Sequence, residues 1–173
     1  MKISIQHDLN GSILDIGGGG EGLIGQIYGH KVIAIDNRQE ELDETPDCCK
    51  KRLMDATDLL FSDGSFDNVT FFYSLMYMTK DTQKKAINEA VRVLKQGGRL
   101  LIWDSQFPVA HPDPHIVDLD IHFADKTIHT SYGIVKDEEQ RFEDIVSFIN
   151  SNGLRLEHKE KMDDLFFISA RKP

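Results

Sequence analysis

The sequence predicts an α/β fold in which a mostly parallel sheet, covered by helices on both faces, ends in an antiparallel hairpin. Two patterns indicate the parallel part: apolar runs of strand length alternate with segments of helical spacing, and the runs are almost uninterrupted, as in strands buried on both faces. The hairpin follows from residues 154–158 and 165–170, two apolar runs joined by a short polar stretch without a helix. Strands with so short a connection pair antiparallel.

The first half of the chain supplies three strands and two helices. An apolar run ends at four consecutive glycines, the next apolar residues recur at helical spacing, and Gly29 stops that helix. A second strand of buried type, a short polar helix and a weaker third strand follow. The predicted elements are strand 13–16, helix 23–28, strand 31–36, helix 38–42 and strand 52–54.

The middle of the chain gives a fourth strand, 66–73, which is rich in β-branched and aromatic residues and follows a turn at 62–65. Apolar residues spaced three and four apart then predict a helix from about 81 to 95, which the glycine pair 97–98 closes. Residues 99–103 form the predicted fifth strand.

The last third of the chain is less regular. Residues 107–124 hold three prolines and no clear period, which predicts a long loop or insertion, whereas 127–135 is typical of an edge strand. Apolar side chains at helical spacing between 142 and 149 predict another helix, with Gly153 just beyond its end.

Length and charge limit the classes of protein. The chain has 173 residues, 40% hydrophobic and 28% charged, which is ordinary for one globular domain, here residues 1–173. It is too short for a nucleotide-binding domain plus a full second substrate domain. The 20 basic and 29 acidic residues give a net charge of −9. Because this charge repels phosphate backbones and anionic lipid, neither nucleic acid nor a membrane is an expected partner.

Three features of the sequence bear on the cellular location of the protein. No apolar run approaches the length of a membrane-spanning helix, and residues 1–8 lack the apolar core and cleavage site of a signal peptide. The only cysteines, Cys48 and Cys49, are adjacent in the chain and poorly placed to form a stabilising disulfide. We therefore expect reduced thiols and a cytoplasmic location.

The glycine-rich run at residues 17–22 predicts a nucleotide site. It follows a strand and opens a helix, and glycine is needed where the chain turns sharply against a ligand. Asp36 closes the second strand about twenty residues later, where a carboxylate accepts hydrogen bonds from ribose hydroxyls. A purely structural role for the glycines is disfavoured, because four in a row carry a large entropic penalty.

The spacing of Gly17, Gly19 and Gly22 also matches the dinucleotide fingerprint. Three features argue against NAD. Asp15 would place a negative charge beside the pyrophosphate, the chain has no room for a separate substrate domain, and the terminal hairpin is unexpected in a dinucleotide fold. A cofactor that bears an ammonium group would instead suit Asp15.

These segments resemble the class I S-adenosylmethionine-dependent methyltransferases, in particular the small-molecule branch. The matching stretches are 13–22, 32–36, 55–56, 59–67 and 93–102. The resemblance implies a Rossmann-like seven-stranded sheet with strand order 3-2-1-4-5-7-6, the cofactor S-adenosyl-L-methionine and a small-molecule methyl acceptor. The cofactor-binding residues implied are Asp15, Gly17, Gly18, Gly19, Asp36, Asn37, Asp55, Ala56 and Tyr73.

The chain departs from the family pattern at three places. Glu21 stands where a glycine usually completes the first motif, and Gln96 replaces a usual proline. Only about twelve residues precede the first strand, where relatives carry one or two helices that cover the cofactor. The cover is therefore missing, supplied by residues 107–124, or borrowed from a second subunit in a homodimer.

Methyl transfer is an in-line displacement at a carbon that a sulfonium already activates, so no acid–base pair is obligatory. The acceptor should lie above the ends of the fourth and fifth strands. Tyr73, whose ring could face the sulfonium, and His111, as a general base, are the catalytic candidates. Further candidates for the acceptor wall are Ser74, Tyr77, Asp104 and Gln106.

Two other kinds of site are weighed and set aside. Four histidines between residues 111 and 129 lie beside three aspartates, but their spacing matches no metal signature, so no metal is expected. Residues 73–77 do not resemble the motif of nucleic-acid amino-methylating relatives. The sequence thus predicts a small-molecule methyltransferase. The alternatives are a non-catalytic protein that binds S-adenosylmethionine or S-adenosylhomocysteine and, with less support, an NAD-dependent oxidoreductase.

Overall fold

The computed structural model describes residues 2–5, 8–123 and 126–173. It contains ten strands and four α-helices in these ranges, together with short 3₁₀ turns at 29–31 and 75–77. The strands are β1 Lys2–Ser4, β2 Ile13–Ile16, β3 Val32–Asp36, β4 Lys50–Leu53, β5 Phe66–Phe72, β6 Leu94–Ser105, β7 Ala110–Phe123, β8 Lys126–Lys136, β9 Arg155–Met162 and β10 Leu165–Arg171. The helices are α1 Leu23–Tyr28, α2 Gln39–Glu44, α3 Lys80–Val93 and α4 Phe142–Ser151.

Seven strands form the large sheet, in the order β4-β3-β2-β5-β6-β10-β9. The first five are parallel, and β10 runs antiparallel to both β6 and β9. The predicted α/β class, the strand order and the terminal hairpin are therefore confirmed. The chain reverses its direction of winding between β2 and β5, which is where open α/β sheets bind ligands.

Alternate side chains of β2 enter separate apolar cores on the two faces of the sheet. Leu14 and Ile16 pack with α3 and α4, whereas Ile13 packs with α1 and with a second, smaller sheet. Both faces of the central strands are therefore covered, as their uninterrupted apolar sequence predicts. No helix in the described ranges is long and apolar enough to cross a bilayer.

The smaller sheet has the order β1-β7-β8, and it corrects the prediction of a loop at 107–124. Residues 110–123 are a strand, and residue 124 lies outside the described ranges. The missed signal is a period of two: Val117, Leu119, Ile121 and Phe123 are buried and alternate with polar residues. The prolines that obscured it, Pro112 and Pro114, lie in the exposed first part of β7. The predicted edge strand at 127–135 is confirmed as β8.

The boundary between α3 and β6 also differs from the prediction. The helix ends at Val93, two residues early, and β6 begins at Leu94 and includes the glycine pair 97–98. Leu94 is fully buried and pairs with Phe66, which draws it into the sheet. A Cβ on Gly98 would lie 3.0 Å from the Asp67 carbonyl oxygen, so glycine permits the strands to approach at this irregular pairing.

Candidate active site

A cavity of about 570 Å³ opens at the carboxyl ends of β2, β3, β4 and β5. Its volume lies in the range of small-molecule sites. Each of the four strands contributes the residues that directly follow it, and β8 adds Ser131 and Tyr132. All nine residues predicted to bind the cofactor line this cavity: Asp15, Gly17, Gly18, Gly19, Asp36, Asn37, Asp55, Ala56 and Tyr73.

The glycine loop after β2 is held against β3 by its own backbone. The Gly17 and Gly18 N–H groups donate to the Ile35 carbonyl oxygen at 2.9 and 3.0 Å. Gly17 has φ +73°, and a Cβ there would lie 2.4 Å from the Ser74 Cβ. At Gly18 a Cβ would lie 2.4 Å from Asp15 Oδ2. The packing of the protein itself thus requires glycine here, in addition to any requirement from a ligand.

Asp36 presents its carboxylate to the cavity wall at the end of β3. The Gly19 N–H donates to Oδ2 at 3.3 Å, and the Arg38 N–H donates to Oδ1 at 3.0 Å. These two bonds fix the orientation of the carboxylate between the glycine loop and the start of α2.

Asp55 and Ala56 occupy the neighbouring wall after β4. The backbone N–H and the hydroxyl of Thr57 both donate to Asp55 Oδ1, each at 2.8 Å. This turn holds the exposed carboxylate beside the backbone of Ala56 and so places a carboxylate and a main-chain amide next to one another.

Asp15 lies at the floor of the cavity with 1% of its surface exposed. The Thr70 hydroxyl donates to Asp15 Oδ1 at 2.7 Å. Burial raises the pKa of Asp15 to about 7; the Thr70 hydrogen bond opposes this shift, and the charge of Asp36 adds to it. A cationic ligand group beside Asp15 would favour its ionised form.

Replacing Asp15 by Asn should change how stability depends on pH. The folded wild type keeps a proton on Asp15 that the unfolded chain loses between pH 3.8 and about 7. Wild-type stability therefore falls as pH rises through this window, by at most about 1.4 kcal/mol per pH unit. Asn removes this loss and can still accept from Thr70. The free energy of unfolding of Asp15→Asn relative to wild type should rise across the window and level off above it.

Urea titrations at several pH values test this expectation. Asp104, whose pKa burial also raises to about 7, is present in both proteins and contributes equally. A stability difference that stays constant from pH 4 to pH 8 would contradict the assignment.

Two stacked tyrosine rings form another part of the cavity wall. Tyr73 is buried with φ +49°, and its ring stacks on that of Tyr132 from β8, with centroids 5.2 Å apart and planes 6° apart. Burial raises the pKa of both hydroxyls, so both remain protonated at neutral pH. Ser74 donates its hydroxyl to the Ile16 carbonyl oxygen at 2.7 Å, and Tyr77 lies half-exposed at the mouth.

Strand β8 provides a cover for the cavity. The Thr130 hydroxyl donates to the Glu21 carboxylate of the glycine loop, and Lys136 Nζ donates to the Met78 carbonyl oxygen at 2.5 Å. The cover therefore comes from residues 126–136 of this chain, which are not among the three alternatives that the sequence leaves open. The described part of 107–124 does not line the cavity. Glu21, the departure from the family motif, contacts that cover.

Three acceptor candidates lie outside the lining. Asp104 is fully buried, where its Oδ1 accepts from Gln140 Nε2 at 2.7 Å and its Oδ2 accepts from the Met76 N–H at 3.3 Å. Gln106 donates its N–H to the Asp164 carbonyl oxygen. His111 lies exposed on β7 with its Nδ1 3.7 Å from Asp137 Oδ1. The extended strand carries His111 away from the cavity, so a role as general base has no geometric support.

The histidine-rich segment is distributed over β7 and β8. His115 stacks on Phe107, His122 hydrogen-bonds Thr127, and His129 pairs with Asp120. Within the described ranges, no group of three or more His, Cys, Asp or Glu side chains could hold a metal ion.

Several residues of the wall are not predicted from the sequence. Tyr132 and Ser131 belong to the predicted edge strand at 127–135, and no local spacing connects this strand with the glycine loop. Arg38, the residue that caps α2, and Glu41 in its first turn lie two and five residues after Asp36, and this closeness to the predicted ribose site is the available signal.

Residues 14–102 match the family described as "Methyltransferase domain". The chain is 44% identical over 54 residues to a demethylmenaquinone methyltransferase of Clavibacter sepedonicus, covering 31% of this chain and 21% of that protein. It is 31% identical over 117 residues to an O-methyltransferase of Aspergillus nomiae, covering 61% and 51%. These alignments therefore span between about a fifth and a half of the relatives' lengths.

Solved structures of other proteins have a similar fold. A S-adenosylmethionine-dependent methyltransferase from Methanosarcina mazei superposes with a TM-score of 0.64 at 19% identity, covering 95% of this chain and 94% of that one. At this identity the likeness concerns the fold alone.

Proposed function

This chain belongs to the class I S-adenosylmethionine-dependent methyltransferases, and we propose that it transfers the methyl group of S-adenosyl-L-methionine to a small organic acceptor that carries no negative charge. One observation carries the proposal. A glycine loop, a strand-ending carboxylate and a carboxylate–amide pair follow three neighbouring strands and line the same cavity. A mouth flanked by Tyr77 and Tyr132 lies beside them.

The charges of the cavity fit this cofactor. Among its described lining residues one side chain is basic, Arg38, which pairs with Glu41 at 3.0 Å. The acidic ones are Asp15, Glu21, Asp36, Glu41 and Asp55. Such a wall suits a sulfonium and an ammonium group, whereas the pyrophosphate of NAD would meet repulsion. When bound, the cofactor supplies a methyl carbon that is already activated for displacement.

The residues of the chain would contribute binding, orientation and exclusion of water. In this proposal Asp36 accepts from the ribose hydroxyls, Asp55 and the Ala56 amide bind the adenine edge, and Asp15 holds the amino group. The stacked rings of Tyr73 and Tyr132 close one side of the cavity, which strengthens electrostatic contacts inside it. Rate enhancement then rests on positioning, with no histidine at the described wall to act as a base.

The acidic wall also restricts the acceptor. A carboxylate or phosphate on the acceptor would find no uncommitted cation among the described lining residues, and it would lose its hydration without a partner. The relatives are named for methylation of a quinone precursor and for O-methylation. A phenol or quinol is accordingly the first acceptor class to test.

The test uses purified protein in two steps. Calorimetric titration with S-adenosylhomocysteine should show one site per chain, while NAD should not bind. Methyl-labelled cofactor is then offered with neutral phenols and quinols and with the same rings bearing a carboxylate, and we expect label only in the neutral series. Absence of S-adenosylhomocysteine binding would overturn the proposal. Binding without transfer to any acceptor would favour a non-catalytic binding protein.

Replacing Tyr73 by Phe should preserve most of the transfer rate. Burial, together with the Asp104 charge, raises the pKa of its hydroxyl, which therefore neither gives nor takes a proton at neutral pH. If the hydroxyl were a general acid or base, Phe would lower kcat by about 10²–10⁴-fold. Tyr73→Ala removes the ring that stacks on Tyr132 and should lower kcat/KM by about tenfold.

Steady-state kinetics of both variants with an acceptor from the panel provide the measurement. Tyr28→Phe, on α1 away from the cavity lining, is the matched control. A large loss in Tyr73→Phe that Tyr28→Phe does not share would assign a catalytic role to the hydroxyl.

A further inference from the structure

Cys48 and Cys49 form a pair of thiols behind the glycine loop. Their Sγ atoms lie 3.0 and 2.6 Å from the point that a Cβ on Gly25 would occupy. Both sulfurs therefore lie against the same position of α1. Both cysteines are free and partly exposed. The cofactor cavity does not use them as lining residues.

Two thiols that lie against one point of the fold differ chemically from a single cysteine. Burial is the main cause that raises the pKa of Cys49 to about 12, so this thiol is a poor thiolate nucleophile toward reagents that attack one sulfur. A soft electrophilic atom that binds two sulfur ligands has a different requirement, because both sulfurs must lie within bonding distance of that one atom. The shared contact with Gly25 meets that requirement.

We propose that Cys48 and Cys49 form a bidentate binding site for a trivalent organoarsenical, and that filling it weakens binding in the cofactor cavity. In the reaction, an arsenous acid RAs(OH)₂ exchanges its two As–O bonds for two As–S bonds. The two thiol protons leave with the two hydroxyl groups as water, and no atom changes its oxidation state. The second half of this proposal rests on the proposed function, whereas the first half does not.

The packing around the thiols provides the coupling to the cavity. The sulfurs already touch α1 at Gly25, so an arsenic atom that bridges them displaces either the helix or the turn that holds the cysteines. That turn also reaches the glycine loop, because a Cβ on Gly22 would lie 2.4 Å from Thr45 Cγ2. Gly22 ends the loop and caps α1. Displacing the turn therefore shifts the backbone that lines the cavity.

The experiment uses phenylarsine oxide, which hydrates to the acid above. Intact mass spectrometry of the folded protein should show one adduct per chain, with loss of both titratable thiols. Cys48→Ser and Cys49→Ser, each with one thiol, should fail to retain the adduct, and Cys48→Ala repeats the test with a different replacement. S-adenosylhomocysteine should bind the adduct about fivefold or more weakly, and saturating S-adenosylhomocysteine should oppose adduct formation by the same factor.

The adduct measurements test the thiol site, and the affinity measurements test its coupling to the cofactor cavity. No adduct on the folded protein, or equal retention by the single-thiol variants, overturns the site. An adduct that leaves the affinity for S-adenosylhomocysteine unchanged overturns the coupling. The mass measurement needs neither acceptor nor turnover, so a failure of the proposed function would leave the result on the thiol site intact.

Discussion

Replacing Asp36 by Asn should weaken binding of S-adenosylhomocysteine by about tenfold to a hundredfold. The carboxylate has two acceptor atoms at the cavity wall, and charge-assisted hydrogen bonds contribute about 1.5–3 kcal/mol each. Asn keeps the shape but replaces one acceptor by a donor and removes the charge. Since two backbone N–H groups already orient the carboxylate, little of its binding energy is spent on ordering the side chain.

Calorimetry on the variant, with the melting temperature measured alongside, separates lost binding from lost folding. Asp113→Asn, an exposed aspartate of β7 outside the cavity, is the control and should bind as tightly as wild type. If Asp36→Asn binds with unchanged affinity while remaining folded, the ribose is held elsewhere and the orientation proposed for the cofactor is wrong.

The cofactor side of the cavity could be predicted because its signals are local and the topology gathers them. Gly17, Asp36 and Asp55 each stand at or just beyond the carboxyl end of a parallel strand, and the carboxyl ends of parallel neighbours meet at one edge of the sheet. Recognising the strands and their direction therefore sufficed to place these residues around one cavity, without any knowledge of side-chain packing.

The cover could not be predicted in this way. Tyr132 reaches Tyr73 only because β7 and β8 form a hairpin that packs on the second apolar core, and no local spacing encodes such a long-range contact. The prolines of β7 obscure the period of the strand, so the sequence predicts a loop there. A loop would allow His111 to lie near the acceptor. In the strand, the extended backbone holds His111 on the exposed surface instead.

The end of α3 shows a different limit of sequence reasoning. The glycine pair 97–98 is a common stop signal after a helix, yet both residues lie within β6. Leu94 decides the boundary, because its burial against the sheet contributes more than one further helical residue at the end of α3 would. Tertiary packing of Leu94 thus determines where the helix ends, although the glycine pair alone predicts a later end.

Replacing Gly17 by Ala should destabilise the protein by about 2–5 kcal/mol, through two separable terms. The first is backbone strain: Gly17 has φ +73°, a conformation that costs an L-residue about 1–2 kcal/mol. The second is overpacking, because the new Cβ would lie 2.4 Å from the Ser74 Cβ, and forcing extra volume into a packed site costs about 1–3 kcal/mol.

Gly153→Ala separates these terms. Gly153 has φ +72°, but a Cβ added there would meet no atom within 4 Å, so this variant should show the strain alone, measured as the change in the free energy of urea unfolding. The double variant Gly17→Ala/Ser74→Gly should recover the overpacking term. Ser74→Gly alone corrects for the loss of the hydrogen bond to Ile16. Equal losses at Gly17 and Gly153, with no coupling to Ser74, would mean that the loop relaxes freely. The backbone path at the cavity floor would then be set by a ligand rather than by the protein's own packing.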